Sequence, residues 1–324
     1  MDHDMILSQA MLLLREADVR ISGGTLEDLS LALPDHSTRE VQVKIRPLPP
    51  TPSKLAVILK RRVRTLLVTS RPSKAVADAA ARNLIDLITI APATVVVGGV
   101  ELLESRDPAP AARTHGRTPW GRWAMLRALA LAPGPLTQQE LADAAGISQP
   151  AVHKNLKSVL TFVHRDIKGW TAQDRSTLLT WWVANYPGPS GVSTYWYSLK
   201  TPIQQAEEAA AFAEEMGAAP LVSGDAAADI YAPWRLPGTA HLYLRQAVDF
   251  TDAGFIQATR EEATLISTIP EDHTLWPTAA LSHRDGRPLA DPLVTLRDVM
   301  HGGGADSSDA AEHLREAILT GAAR

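Results

Sequence analysis

One run of residues constrains this chain more than any other: Leu136-Thr137-Gln138-Gln139-Glu140-Leu141-Ala142-Asp143-Ala144-Ala145-Gly146-Ile147-Ser148-Gln149-Pro150-Ala151-Val152. Thr137 with Glu140 three residues on is a capping box, in which each side chain satisfies a backbone N–H left over at a helix start. Gly146 can take the positive φ of a tight turn, and Ile147 can plug the angle between two helices. Ser148 then caps a second helix that carries Pro150 in its first turn, where proline costs least. The run therefore predicts two short helices joined by a fixed turn.

The second helix is expected over residues 148–160, with its residue types separated by face. At ~100° per residue, Val152, Leu156, Val159 and Leu160 gather on one side. Pro150, Lys154, Lys157 and Ser158 point the other way, with His153 on the flank. A helix that is apolar inward and carries lysines and small polar groups outward suits the major groove of DNA. Ser148 and Gln149, at its start, are placed for base edges or phosphate. Upstream, residues 119–131 read as an amphipathic helix with Trp123, Leu126, Leu129 and Ala130 inward. Downstream, residues 161–163, a Lys168-Gly169 turn and Trp170 read as a two-stranded wing, from which His164, Arg165 and Lys168 reach the backbone of a neighbouring groove. The whole is a winged helix-turn-helix.

Charge supports this placement once it is resolved along the chain. The formal net charge is −4. Residues 1–110 hold 14 Lys+Arg against 13 Asp+Glu, residues 111–170 hold 8 against 3, and residues 171–324 hold 10 against 20. A +5 segment inside an acidic chain marks a local polyanion site, and a −10 end should turn away from phosphate.

Two breaker-rich stretches, residues 105–119 and 186–191, divide the chain into three expected domains, 1–108, 112–186 and 190–324. The first alternates helices and strands as helix–β–β–α–β–α–β–β, a sheet flanked by helices. In it, Asp28 opens one strand of a hairpin, while Gln42 and Lys44 share a face of the next. A carboxylate, an oxygen acceptor and a lysine on neighbouring strands make up the layout of restriction-endonuclease-like sites. There the acceptors hold Mg²⁺ and the lysine activates water, with Glu16 as a further ligand. Gln42 stands where such sites carry Asp or Glu, and an amide oxygen is a poorer ligand for a hard cation. The expectation is an inactive scaffold, with a Mg²⁺-dependent DNA nuclease as the alternative. Lys60, Arg61, Arg62 and Arg64 end a helix, where they complement its dipole or contact phosphate.

The last domain has one strong helix at 202–216, then a strand–Gly–helix entry, Leu221-Val222-Ser223-Gly224-Asp225, like that of nucleotidyltransferase folds. The next strand, 240–245, lacks the paired carboxylates which that chemistry needs. His301-Gly302-Gly303-Gly304 has no Gly-x-Ser-x-Gly nucleophile elbow beside it and reads as a helix lead-in. The chain has no cysteine, so thiolate catalysis and Cys-ligated metals are excluded. The acidic start, Met1-Asp2-His3-Asp4, is unlike a secretory leader. The apolar stretch 84–103 is interrupted by Asp86, Pro92, Gly98, Gly99 and Glu101, and suits a buried strand pair better than a bilayer span. A cytoplasmic protein is expected.

Taken together, these residues resemble AbiEi-type antitoxins of type IV toxin–antitoxin systems and the related winged-helix transcriptional regulators of bacteria. The likeness is clearest over residues 120–187. It includes the helix-turn-helix and the segment Leu178-Leu179-Thr180-Trp181-Trp182-Val183-Ala184-Asn185-Tyr186-Pro187. It implies promoter binding and repression, often of the protein's own operon. The expected architecture is an α+β multi-domain chain: a restriction-endonuclease-like first unit, a central winged helix-turn-helix and a nucleotidyltransferase-like α/β end. Its expected partners are double-stranded DNA through Ser148, Gln149, Pro150, His153, Lys154, Lys157, Arg165 and Lys168, a second copy of the chain, and a protein for the acidic end. No cofactor and no membrane contact are expected, Mg²⁺ entering only with the nuclease alternative at Asp28, Gln42 and Lys44.

Overall fold

A computed structural model describes residues 3–106, 118–281, 286–304 and 306–323. The chain begins with α1 (His3–Glu16), β1 (Arg20–Gly24), β2 (Asp28–Ala32), β3 (Thr38–Arg46), α2 (Pro52–Leu59), β4 (Thr65–Thr69), α3 (Lys74–Ala81), β5 (Asp86–Ile90), β6 (Ala93–Val97) and β7 (Val100–Arg106). It continues with α4 (Trp120–Leu131), α5 (Gln138–Ala145), α6 (Gln149–Lys157), β8 (Val163–Arg165), β9 (Trp170–Ala172), α7 (Arg175–Asn185), β10 (Val192–Tyr197), α8 (Pro202–Glu215), β11 (Leu221–Ser223) and α9 (Gly224–Tyr231). The last elements are β12 (Ala240–Tyr243), β13 (Ala247–Val248), β14 (Ile256–Gln257), β15 (Leu265–Ile269), α10 (Leu275–Ala279), α11 (Pro292–His301) and α12 (Ser307–Thr320).

Two compact units result. Unit 1 comprises Met1–Thr118 with Gly191–Ser193 and Arg245–Asp249, and unit 2 the remainder. The segments 112–186 and 190–324 thus lie largely in one compact unit, and residues 107–117 of the expected linker fall outside the described residues.

Unit 1 is built on a sheet ordered β13-β1-β2-β3-β4-β5-β6-β7. Its central pairs β3–β4 and β4–β5 are parallel, and the flanking pairs are antiparallel. The central strands β4 and β5 are buried along their length, as expected for strands covered on both faces. On one face Val41, Val43, Leu66 and Val68 pack with Ile6, Leu7, Ala10 and Leu14 of α1. On the other, Leu67 and Leu87 pack with Leu55 of α2 and Val76, Ala79 and Ala80 of α3. Within the apolar stretch 84–103 lie β5, β6 and the start of β7 with the turns between them, and Leu84 ahead of β5 is exposed.

Unit 2 contains the three-helix core α4–α6 with the β8–β9 ribbon, and a sheet ordered β11-β12-β15-β10-β14. Among the described residues, no helix is long and apolar enough to cross a membrane.

Candidate nucleic-acid interface

The helix-turn-helix forms from short-range hydrogen bonds. Glu140 N–H donates to Thr137 Oγ1 at 3.2 Å and Thr137 N–H donates to Glu140 Oε2 at 2.7 Å, the reciprocal pair of a capping box. The Thr137 N–H, followed by the Thr137 hydroxyl, holds the Glu140 carboxyl below its ordinary range. Gly146 ends α5 at φ 64° and ψ 34°, in the left-handed region. Ser148 Oγ accepts from Ala151 N–H at 3.4 Å and starts α6, with Pro150 in its first turn. Ile147 seats against Gly121 of α4, where a Cβ would lie 2.9 Å from Ile147 Cγ2.

On α6, Val152 and Leu156 are buried, while Gln149, Pro150, His153, Lys154 and Lys157 are exposed. Pro150, Lys154 and Lys157 stand at i, i+4 and i+7, a cationic stripe along the open face. The helix is shorter than its sequence suggests. It stops at Lys157, where Ser158 turns back, its N–H donating to Asn155 O at 2.9 Å and its Oγ donating to the same oxygen at 2.7 Å. The turn breaks the helical period beyond Val159, so Leu160, expected inward, is 53% exposed.

The wing forms as an antiparallel pair, with His164 opposite Thr171 and Arg165 opposite Trp170. Asp166 Oδ1 accepts from Lys168 N–H at 2.6 Å and Gly169 N–H at 2.9 Å, closing the tip. Leu136 adds a third rung by exchanging hydrogen bonds with Trp170 at 2.8 and 2.7 Å. Gly169 permits this approach, since a Cβ there would sit 2.5 Å from Leu136 O. His164, Arg165 and Lys168 are exposed, and so is Ile167, which stands clear of the protein between the two basic residues. The exposed Ile167 escaped sequence reasoning. The signal was an apolar residue inside an otherwise polar turn.

A second site was also missed, the one that fastens this module. Arg127 of α4 is fully buried and its guanidinium lies among side chains from the C-terminal part of unit 2. It donates to Asp272 Oδ2 at 3.1 Å, Thr274 Oγ1 at 2.9 Å, Thr278 Oγ1 at 3.1 Å and Tyr186 Oη at 3.4 Å. Its Nε is 3.3 Å from Asp291 Oδ2, an ion pair without hydrogen-bond alignment. Burial opposes the charge, yet Asp272 and Asp291 outweigh it and hold the guanidinium above its ordinary pKa. Burial, followed by the neighbouring Asp272 charge, pushes the Tyr186 phenol well up, and its O–H donates to Asp272 at 2.6 Å. Asp291 in turn caps α11 through Leu293 N–H and Val294 N–H at 3.0 and 3.1 Å. The Leu178, Leu179, Trp182 and Tyr186 positions are core: Trp182 stacks on Tyr186 at 4.3 Å, and Trp123 on Trp181 at 5.4 Å.

In unit 1, Asp28 and Gln42 do face each other across β2 and β3, with Gln42 Nε2 3.5 Å from Asp28 Oδ1. Gln42 Oε1, the expected metal ligand, accepts instead from Arg61 Nη1 at 2.5 Å, so a guanidinium stands where a cation would sit. Lys44 is half-buried on the same strand face. Glu16 cannot join them. It lies on α1, which covers the Val41 and Val43 face of β3, whereas Gln42 and Lys44 point through the opposite face. Among the described residues, no group of three or more His, Cys, Asp or Glu side chains is arranged to hold a metal ion.

A comparison with protein families matches the MarR family over residues 115–160, the stretch that carries α4, α5 and α6. No curated protein and no solved structure matches the chain. The family match supports a DNA-binding transcriptional regulator with a winged-helix domain. It gives no support to a nuclease.

Proposed function

We propose that this chain is a sequence-specific double-stranded-DNA-binding repressor acting at the promoter of its own operon. In this reading α6 enters the major groove, where Ser148, Gln149, Pro150, His153, Lys154 and Lys157 meet base edges and phosphates. Arg165 and Lys168 hold the backbone from the wing. The observation that carries the reading is the open cationic face of α6, beside a wing whose exposed positions are also basic. One helix-turn-helix reads only a short half-site, so the chain binds as a homodimer on a two-fold operator. The resemblance over residues 178–187 extends the reading to an antitoxin-like regulator whose acidic C-terminal part meets a protein partner. Unit 1 then serves as a restriction-endonuclease-like scaffold without nuclease activity, beside a nucleotidyltransferase-like C-terminal part and in a cytoplasmic setting.

Footprinting on the DNA upstream of the gene tests the operator. Lys154→Ala with Lys157→Ala tests the placement. Each lost phosphate contact lowers the slope of log K against log salt by ~0.9, so the double variant should bind more weakly, with a slope reduced by about 1.8. Unchanged affinity and slope in gel-shift titrations over a salt series would reject α6 as the reading helix.

A further inference from the structure

Unit 1 holds a small polar pocket of about 220 Å³ where α2 gives way to β4, lined by Arg61, Arg62, Arg64 and Thr65 with an apolar wall from Ile58 and Leu84. At ~30 Å³ per water, it has room for a tetrahedral oxyanion and a few waters. Thr65 is one of its lining residues and only 2% exposed, and its Oγ1 is buried with no hydrogen-bond partner among the described residues. Buried hydroxyls are almost always paired, so an orphan on a residue that lines a pocket points to a missing acceptor.

The surrounding charge decides which acceptor. Arg64 is fixed as a wall: Nε and Nη2 donate to the buried Asp86 carboxylate at 3.0 and 2.7 Å, and Nη1 and Nη2 donate to Asn83 O and Oδ1 at 2.6 and 2.5 Å. Asp86 is itself spent on Arg64, Arg39 and Gly98 N–H. Arg61 and Arg62 are exposed at the rim. Arg61 gives one of its five donors to Gln42 and keeps the others. Two features oppose an anion: the carbonyl end of α2, worth about half a negative charge, and Asp28, which stands behind Gln42. Against the two guanidinium charges of Arg61 and Arg62 at the rim, they are the smaller influence.

We propose that this pocket is a phosphate-binding site, with Thr65 Oγ1–H donating to the anion and Arg61 and Arg62 closing over it. A tetrahedral phosphate offers several acceptor oxygens in different directions, enough to meet Thr65 and both rim arginines at once. The group can belong to a nucleic-acid backbone or to a free phosphate ester, and the chemistry is the same.

The test uses the full chain and two variants, Thr65→Val and Arg61→Gln with Arg62→Gln. Thr65→Val keeps the shape of the side chain and removes only the orphan hydroxyl, so it should fold at least as well as wild type in chloride buffer. Melting temperature is followed while inorganic phosphate, and separately AMP, replaces chloride at constant ionic strength. Binding of a labelled duplex of arbitrary sequence is followed over a salt series. For a free phosphate group, phosphate or AMP raises the wild-type Tm and both variants lose the rise. For a nucleic-acid backbone, the duplex salt slope falls by about 1 for each lost contact in the double arginine variant, and Lys154→Ala with Lys157→Ala leaves the phosphate response intact. Equal Tm responses and equal duplex slopes in wild type and both variants overturn the proposal.

Discussion

Replacing Arg127 by methionine is the most demanding test of how the DNA-binding module is held. The side chain is fully buried and faces two carboxylates, Asp272 and Asp291, which are also fully or almost fully buried. Methionine retains most of the volume, so the loss is mainly electrostatic. Tyr186 and Thr274 still donate to Asp272, and the α11 N–H groups and Thr278 still donate to Asp291. Two negative charges nevertheless remain in the interior with no cation. Removing one partner from a buried ion pair costs about 3–5 kcal/mol, because the charge left behind cannot be solvated. For a unit of roughly 150–250 residues, each kcal/mol moves Tm by ~2–4 °C, so a fall of about 6–20 °C is expected in calorimetry of the full chain. Arg127→Lys should recover little of it, since one ammonium cannot span both carboxylates and both threonine hydroxyls as the guanidinium fork does. Adding Asp272→Asn to Arg127→Met should restore part of the loss by removing one stranded charge. A fall in Tm below about 2 °C for Arg127→Met would refute the reasoning.

Two further perturbations follow from the same unit. Gly146→Ala places a Cβ 2.5 Å from Pro277 Cγ at a φ of +64°. The left-handed backbone costs ~1–2 kcal/mol and overpacking ~1–3 kcal/mol more, so denaturant titration should show a loss of about 2–5 kcal/mol. A loss under 1 kcal/mol would mean that Pro277 is not seated against the turn. Burial holds His241 below its ordinary pKa of 6.5, with Asp298 opposing that shift and Arg297 adding to it. The folded state then favours the neutral ring, so this contribution is present above pH 6.5 and is lost as pH falls further. His241→Gln, which can still reach Thr268, should flatten the stability profile below about pH 6.5. An unchanged profile argues that the ring is not desolvated.

The helix-turn-helix was legible because neighbours in sequence determine it: Thr137 with Glu140, Gly146 at the turn, Ser148 with Ala151 N–H. The end of α6 was less so. Val159 and Leu160 continue an apolar period, and nothing in that pattern reveals that Ser158 bonds back to Asn155 O. Strand β13 was invisible, since only two residues, Ala247 and Val248, pair with Gly24 and Gly23 far away in sequence. Arg127 hid for the same reason. Its carboxylate partners lie more than a hundred residues downstream, and the one local cue was a cation within the run from Trp123 to Leu131, whose other residues are apolar and buried.

Arg127 also changes what the charge of the middle segment means. A net +5 over residues 111–170 counts it as though it were available to phosphate, but its charge is neutralised inside the protein by Asp272 and Asp291. Part of the −10 of the last segment is spent in the same way, with Asp298 also buried and accepting from Ser223 and Tyr243 at 2.6 Å each. Formal charge along a sequence therefore overstates both the attraction of one segment and the repulsion of the other. Lys154, Lys157, Arg165 and Lys168 remain exposed to a polyanion on α6 and the wing. Because only phosphates that are neutralised release counterions, those four side chains, and not the segment total, set the largest salt dependence that this face can produce, a slope of about 3.6 in magnitude per protomer. A steeper slope per protomer must draw on cations elsewhere in the chain, and the arginines around Thr65 are the first place to look.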